Sequence, residues 1–401
     1  MGVRCNFKKK KQMIRKTTFA AILILFSIAI YGQQTARIEK IKIHSKELTQ
    51  EREIFVYTPA LYDECPFWYY DVIYVFDAQS RELFDYTHSI ISFLNKDYKK
   101  FIVVGISSPY NKKLDYARNN DMLPKFQSDE SKKHYDKYSG NADNFLKYVK
   151  NEVVPLIETK YRALTHRTAI GHSLGASFIL YSMFKEPKLF DNYIAISPNL
   201  AYDDERLVKE FYHFDFDNKK TTQYLYLSNA DEGVTYWPEW KPAREKVYSF
   251  LKDSLHSDNV KVVIKDFPNE THWSTFPVSL SFALSQYFDN VYGQQKDKFS
   301  LEEYEVTIQM KVPNKNDEIY ITGNQPNLGM WNPARIKMNK KSDFERELKV
   351  KLHFPAQFKF TKGNWDTEAV IKNNDVMENL TINPKNRRKF YFEVIKYINE
   401  K

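Results

Sequence analysis

Glycine is scarce in this chain, with 11 among 401 residues, and cysteine is scarcer, with two. So little glycine excludes collagen-like and glycine-rich low-complexity architectures. Cys5 lies in an N-terminal segment read below as a removable leader, which leaves Cys65 alone. One thiol builds no internal disulfide, so the mature chain must be stable through its core. Acidic residues are missing altogether before Gly32, where seven of the 60 Lys and Arg lie (Arg4, Lys8 to Lys11, Arg15, Lys16). Seven of the nine units of formal charge therefore belong to that segment. The remaining chain is close to neutral against its 51 acids and has no basic stripe for a nucleic-acid backbone. Also missing are a metal-ligand cluster, a phosphate-cradling glycine loop and a dinucleotide fingerprint, so neither metal nor cofactor is expected.

The N-terminal segment has its own logic. Bases ending at Lys16 precede TTFAAILILFSIAIYG, an apolar run too short to span a bilayer comfortably, and Gly32-Gln33-Gln34 follow. This is the pattern of a secretory signal peptide over residues 1–32, with Met13 offering a second start. An uncleaved anchor is the alternative. No cysteine ends the run, so a lipid anchor is unsupported. The expectation is an exported protein, periplasmic or secreted, with no stable membrane insertion after cleavage.

Hydrophobic residues make up 42% and aromatics 16% of the chain, ample for a packed core. Eight strand-like runs lie between Ile38 and Phe267. They are IEKIKIHS, REIFVYTP, DVIYVFD, FIVVGISS, RTAIG, NYIAISP, QYLYLSN and VKVVIKDF. The first two alternate like antiparallel strands half open to water. The rest are nearly continuous apolar runs, as in parallel strands covered on both faces. Asn141 opens a helix whose apolar positions Phe145, Leu146, Val149, Val153, Leu156 and Ile157 recur at helical spacing. A doubly wound, mainly parallel α/β sheet of the α/β-hydrolase layout is predicted over residues 36–290. Residues 291–303 read as a polar linker. From Tyr304 short alternating strands separated by turn clusters (PNKND, NQPN, NPKN) predict a small all-β sandwich over 304–396.

Residues 171–175 read GHSLG, a G-x-S-x-G pattern between the buried run RTAI and the helix-compatible ASFILYSMF. That is the context a nucleophile elbow requires, with Ser173 as nucleophile and Gly171 and Gly175 permitting close backbone approach. A base is expected after the last strand, where His272 in PNETHWSTF is the one histidine before the linker. His172 adjoins the serine on a turn where neighbours point apart, so it is expected to pack around the elbow. The acid belongs after QYLYLS, where NADEGV offers Asp231 and Glu232, and spacing alone does not choose between them. Ser, acid, His is the α/β-hydrolase order. The oxyanion donors would be the Leu174 N–H and one from FDAQSREL, Ala78 or Gln79.

On REIFVYTPALY, DVIYVFDAQ, VVPLIETKYR, RTAIGHSLGAS and IAISPNLAYDD, residues 36–290 resemble the esterase family that includes enterochelin esterases, feruloyl esterases and S-formylglutathione hydrolase. The resemblance implies Ser173 as nucleophile, His272 as base and Glu232 as acid, with Asp231 second. Two family glycines are alanines here, Ala78 and Ala176, which weakens the oxyanion-loop assignment. EIYITGNQPNLGMWNP and AQFKFTKGNWDTE resemble a starch-binding module of the CBM20 type over residues 304–396. That resemblance implies sugar stacking on Trp331 assisted by Lys359, with Trp365 a weaker match to the second stacking position. The expected function is an exported serine esterase acting on a small or carbohydrate-linked ester, tethered to a glucan. The alternatives are an enterochelin-type siderophore esterase and a non-catalytic glycan-binding protein on a hydrolase scaffold.

Overall fold

The computed structural model describes residues 36–94, 101–109, 117–135, 140–217, 222–295, 298–374 and 376–400. Residues 1–32, on which the signal-peptide expectation falls, lie outside them. Among the described residues no helix is long and apolar enough to cross a membrane.

Eight strands form one sheet in the order β1-β2-β4-β3-β5-β6-β7-β8. They are β1 (Arg37–Ser45), β2 (Gln50–Thr58), β3 (Tyr70–Phe76), β4 (Phe101–Ile106), β5 (Ala163–His172), β6 (Asn192–Ile196), β7 (Gln223–Asn229) and β8 (Val260–Asp266). The β1–β2 hairpin is antiparallel and β2 runs antiparallel to β4; every other pairing is parallel. In β3, Val72, Tyr74 and Phe76 enter one core while Ile73 and Val75 enter the other. That period-two division is why such strands read as unbroken apolar runs. The first core is closed by the helix Leu174–Lys185 and by Phe145, the second by the helices Arg81–Leu94 and Thr275–Asn290. At the edge, β8 departs from the expected full burial: Lys261, Lys265 and Asp266 face solvent.

The expected helix after Asn141 is present, but Asn141 makes no side-chain cap. Its Oδ1 accepts from Asn144 Nδ2 instead, and a π-turn at Val149–Val153 joins Ala142–Tyr148 to Val154–Lys160. A buried ion pair braces this region, with Arg52 Nη1 and Nη2 donating to Asp121 Oδ2 and Oδ1 at 2.5 and 2.8 Å.

The C-terminal part is a two-sheet sandwich around its own core. One sheet has the order β11-β10-β14-β16 and the other β12-β13-β9-β17-β15. The strands are β9 (Tyr304–Lys311), β10 (Tyr320–Gly323), β11 (Ile336–Lys337), β12 (Asn339–Ser342), β13 (Glu345–Leu352), β14 (Ala356–Thr361), β15 (Ala369–Ile371), β16 (Leu380–Ile382) and β17 (Lys389–Tyr397). β11, β12, β15 and β16 are not foreseen by the periodicity, being two to four residues long.

The two bodies are docked. The Phe67 ring packs on Phe392 with centroids 4.6 Å apart, Phe67 O accepts from Thr381 N, and Trp68 Nε1 donates to Asn374 Oδ1 at 2.8 Å. The stretch expected as a free linker is itself pinned. Lys298 pairs with Asp191 at 2.7 Å, and Ser300 exchanges hydrogen bonds with the Phe354 backbone.

Candidate active site

Ser173 sits between β5 and the helix Leu174–Lys185 with φ 58° and ψ −121°. A non-glycine residue held there is strained, and such strain persists only where the surroundings over-determine it. The neighbouring strand ends are built alike: Asp77 after β3 has φ 66° and Ser197 after β6 has φ 50°. Ser173 N–H donates to Ile196 O at 2.9 Å, which ties the turn to β6. The turn is also steric. A Cβ on Gly171 would lie 2.3 Å from the Gly175 carbonyl, and one on Gly175 would meet the Asp77 carboxylate at 3.0 Å.

His272 precedes the helix Thr275–Asn290 and is buried, as is Glu232 in the loop after β7. His272 Nδ1–H donates to Glu232 Oε1 at 2.6 Å, and Glu232 Oε2 accepts from Ala230 N at 2.7 Å. Burial raises the Glu232 pKa, but these hydrogen bonds outweigh it and hold it down at about 2. The carboxylate is therefore charged at neutral pH and fixes the imidazole with Nε2 outward. Of the two candidate acids the structure brings Glu232 to His272. Asp231 shapes the turn instead, its carbonyl accepting from Val234 and Thr235 N–H. The strand order thus lays out Asp77, Ser173, Glu232 and His272 along one edge of the sheet.

His172 does pack around the elbow, and it also does something the sequence does not announce. Its Nε2–H donates to the His272 backbone carbonyl at 2.8 Å, and the two rings lie 4.7 Å apart. This bond clamps the His272 loop to the residue beside Ser173. Burial, and next the His272 ring, push the His172 pKa down to about 4, so it stays neutral across the range in which an esterase works.

One oxyanion candidate is corrected. The Ala78 N–H is spent on Ile106 O at 3.0 Å, because it continues the β3–β4 pairing. The N–H groups of Gln79 and Leu174 make no hydrogen bond among the described residues and remain the candidates. Gln79 is held in place by its side chain, with Nε2 donating to Asp77 Oδ1 and Oε1 accepting from Ser108 N. Asp77 is in turn gripped by Arg118 through Nε and Nη2 at 2.6 and 2.8 Å. Sequence reasoning missed Arg118 because its partner lies 41 residues away.

A second missed feature is an aromatic wall. Trp237 and Trp240 stack at 4.6 Å and both present edges to His272, while Trp273 lies 5.4 Å from it. Tyr236 and Trp273 are 60% and 78% exposed, and Trp237 is held at φ 54°. Trp237 and Trp273 thus leave ring surface in water next to the buried His272, with Tyr236 packed on Trp237. The run TYWPEW is its trace in the sequence.

In the sandwich, Trp331 is half-buried at φ 61° next to the exposed Met330 at φ 50°. Trp365 is exposed on a 3₁₀ turn. Lys359, facing Thr322 across the β10–β14 pairing, is not free: Nζ donates to Glu368 at 2.7 Å and to Val376 O at 2.6 Å. Among the described residues no group of three His, Cys, Asp or Glu is placed to hold a metal ion.

Residues 45–282 match the family model described as "Putative esterase", and residues 303–389 match "Starch binding domain". The ferri-bacillibactin esterase BesA of Bacillus subtilis is 26% identical over 227 residues, covering 54% of this chain and 78% of that protein. The structure of an IroE-like serine hydrolase from Shewanella oneidensis superposes with a TM-score of 0.53 at 20% identity, covering 63% of this chain and 80% of that one. The siderophore hydrolase EstA from Aspergillus nidulans gives 0.52 at 20% identity, over 63% and 94%. These two likenesses show the α/β-hydrolase fold.

Proposed function

From the premise that this chain belongs to the esterase family whose model covers residues 45–282, we propose that it hydrolyses carboxylic esters through an acyl-enzyme on Ser173. The observation that carries the reading is the strained Ser173 at φ 58° whose neighbour His172 is hydrogen-bonded to the backbone of a buried histidine, itself bonded to a buried carboxylate at 2.6 Å. Ser173 Oγ attacks the ester carbonyl carbon as its proton passes to His272 Nε2. The bond to the alcohol breaks and takes that proton, and water repeats the sequence to release the acid. Glu232 stabilises the imidazolium. The Leu174 and Gln79 N–H groups receive the oxyanion, one such donor being worth about 3 kcal/mol.

Our substrate reading is an ester on, or beside, a carbohydrate, met by an exported enzyme that its sandwich module holds to a glucan. The module's family match supports the tether, with Trp331 and Trp365 as stacking surfaces. A tether raises effective substrate concentration without new contacts at the active site. A second reading, a siderophore ester, is favoured by what the relatives' names describe. The aromatic wall beside His272 suits a ring-bearing ester in either case.

Ser173→Ala should abolish hydrolysis of p-nitrophenyl acetate and labelling by a fluorophosphonate while the melting temperature holds. Retained turnover would end the proposal. Rates on a cyclic catecholate triester against acetylated and feruloylated oligosaccharides then separate the two substrate readings.

A further inference from the structure

His272 must return its proton to the alcohol oxygen as the ester bond breaks. That oxygen therefore lies within hydrogen-bond reach of Nε2, and the group it carries departs past the imidazole. The Nδ1 side is closed by Glu232. Four aromatic rings border the imidazole: His172 at 4.7 Å, Trp237 at 5.0 Å, Trp273 at 5.4 Å and Trp240 at 5.5 Å between centroids. His172 and Trp240 are buried, whereas Trp237 and Trp273 are 40% and 78% exposed. Theirs is the aromatic surface beside His272 that a group bonded to the departing oxygen can meet.

Trp237 is also held there against its backbone preference. A bulky residue at φ 54° is an outlier that persists only where its surroundings over-determine it. Here they do. Gly233 N–H donates to Tyr236 O at 2.6 Å, Val234 and Thr235 N–H donate to Asp231 O, and Trp240 N–H donates to Trp237 O at 2.9 Å. Arg244 Nη1 donates to the Glu232 carbonyl at 2.9 Å, so the loop that sets the acid also sets the indole. Trp240 then backs the Trp237 ring, with the planes 19° apart. The strain thus orients a ring that stays partly in water, which packing alone does not ask for. Resting on the reading of Ser173 as nucleophile, we infer that Trp237 and Trp273 form the subsite for the leaving alcohol and select an alcohol that carries a flat ring over one that carries a flexible chain. An indole offers flat apolar area to an aryl ring and equally to the C–H face of a sugar, and a preset ring loses little freedom on binding. The contact lasts while the alcohol is attached and ends when it departs. Selection therefore falls on formation of the acyl-enzyme, and it is read in kcat/KM.

The test keeps the acyl half as acetyl and varies the alcohol. Benzyl acetate and methyl 6-O-acetyl-glucoside are compared with 2-methoxyethyl acetate, all three being esters of primary alcohols with an electron-withdrawing neighbour. Stacking on two indoles predicts a kcat/KM about tenfold or more above the methoxyethyl ester for at least one ring-bearing ester. Which of the two gains more tells an aryl from a sugar alcohol. Trp237→Ala and Trp273→Ala should each lower that ratio toward one, while Trp273→Phe keeps most of it, as loss of mere structure would not. A wild-type ratio near one for both ring-bearing esters, or a ratio that survives both alanine substitutions, overturns the assignment. Should Trp237→Ala lose its melting transition, the largely exposed Trp273 decides alone, and a ratio unchanged in Trp273→Ala overturns it. Fluorophosphonate labelling of wild type separates the two ideas. No label removes the nucleophile and the subsite with it; label with a ratio near one, or with no turnover of any of the three acetates, removes the subsite alone.

Discussion

His172 offers a quantitative test of how the site is held together. Its pKa is pushed down to about 4 in the folded chain by burial and by the His272 ring, with Asp77 and Arg118 acting in opposite senses and more weakly. An unfolded histidine titrates near 6.5. As pH falls below that value the unfolded chain takes up a proton that the folded chain refuses, so stability is lost, down to the folded pKa. Between pH 7.5 and 4 the gap corresponds to about 3 kcal/mol, at roughly 1.4 kcal/mol per pH unit. His172→Gln cannot titrate, and its amide N–H can still reach the His272 carbonyl. Urea denaturation of both proteins at the two pH values gives the double difference, in which titrating groups remote from His172 cancel. Wild type should lose about 3 kcal/mol more than the variant on acidification. Parallel losses would refute the claim that His172 is kept neutral. A variant weaker at pH 7.5 by about 1 kcal/mol would report the quality of the replaced hydrogen bond and leave the double difference intact.

Glu232→Gln should lower kcat by about 10³ to 10⁴, whereas Asp231→Asn should leave the pH–rate profile in place, since the imidazole is oriented by Glu232 alone. Because the Glu232 pKa is depressed to about 2, its contribution is complete above the unfolded value near 4.5 and disappears as pH falls to 2. Acid titration of wild type should therefore show a loss of about 3 kcal/mol in that window that Glu232→Gln lacks. Gly171→Ala places a methyl group 2.3 Å from the Gly175 backbone and should cost about 3 kcal/mol in urea, with activity lost in proportion to the displaced elbow. Arg52→Ala strands the buried Asp121 carboxylate and should cost about 3 to 5 kcal/mol, read the same way.

What could be read from the sequence followed from local context and chain order. GHSLG was informative because RTAI precedes it and ASFILYSMF follows, so strand, turn and helix were all present in 18 residues. Glu232 and His272 were reachable because the loops after β7 and β8 come in a fixed order along a doubly wound sheet. The rest depends on contacts between residues remote in sequence. The clamp from His172 to His272 spans 100 residues, and no periodicity encodes it. The Ala78 N–H was a reasonable oxyanion donor until its pairing with Ile106 was visible, since a backbone group leaves no mark in the sequence. Strands such as β12, with the sequence NKKS, are made by their neighbours rather than by their own propensity.

The docking of Phe67 against Phe392 bears on how this protein can be cut. A polar stretch between two recognisable units invites separation there, yet the cut would uncover an apolar face on each piece. The hydrolase would carry Phe67 and the indole of Trp68 without their partners, and the sandwich would expose Phe392 beside them. Neither fragment is then a lighter version of its parent: each is a sticky surface that did not exist before, prone to self-association at the concentrations used for assay. The module's role is best probed by substitution at Trp331 and Trp365 in the whole chain, since a truncated hydrolase that clumps would say nothing about sugars.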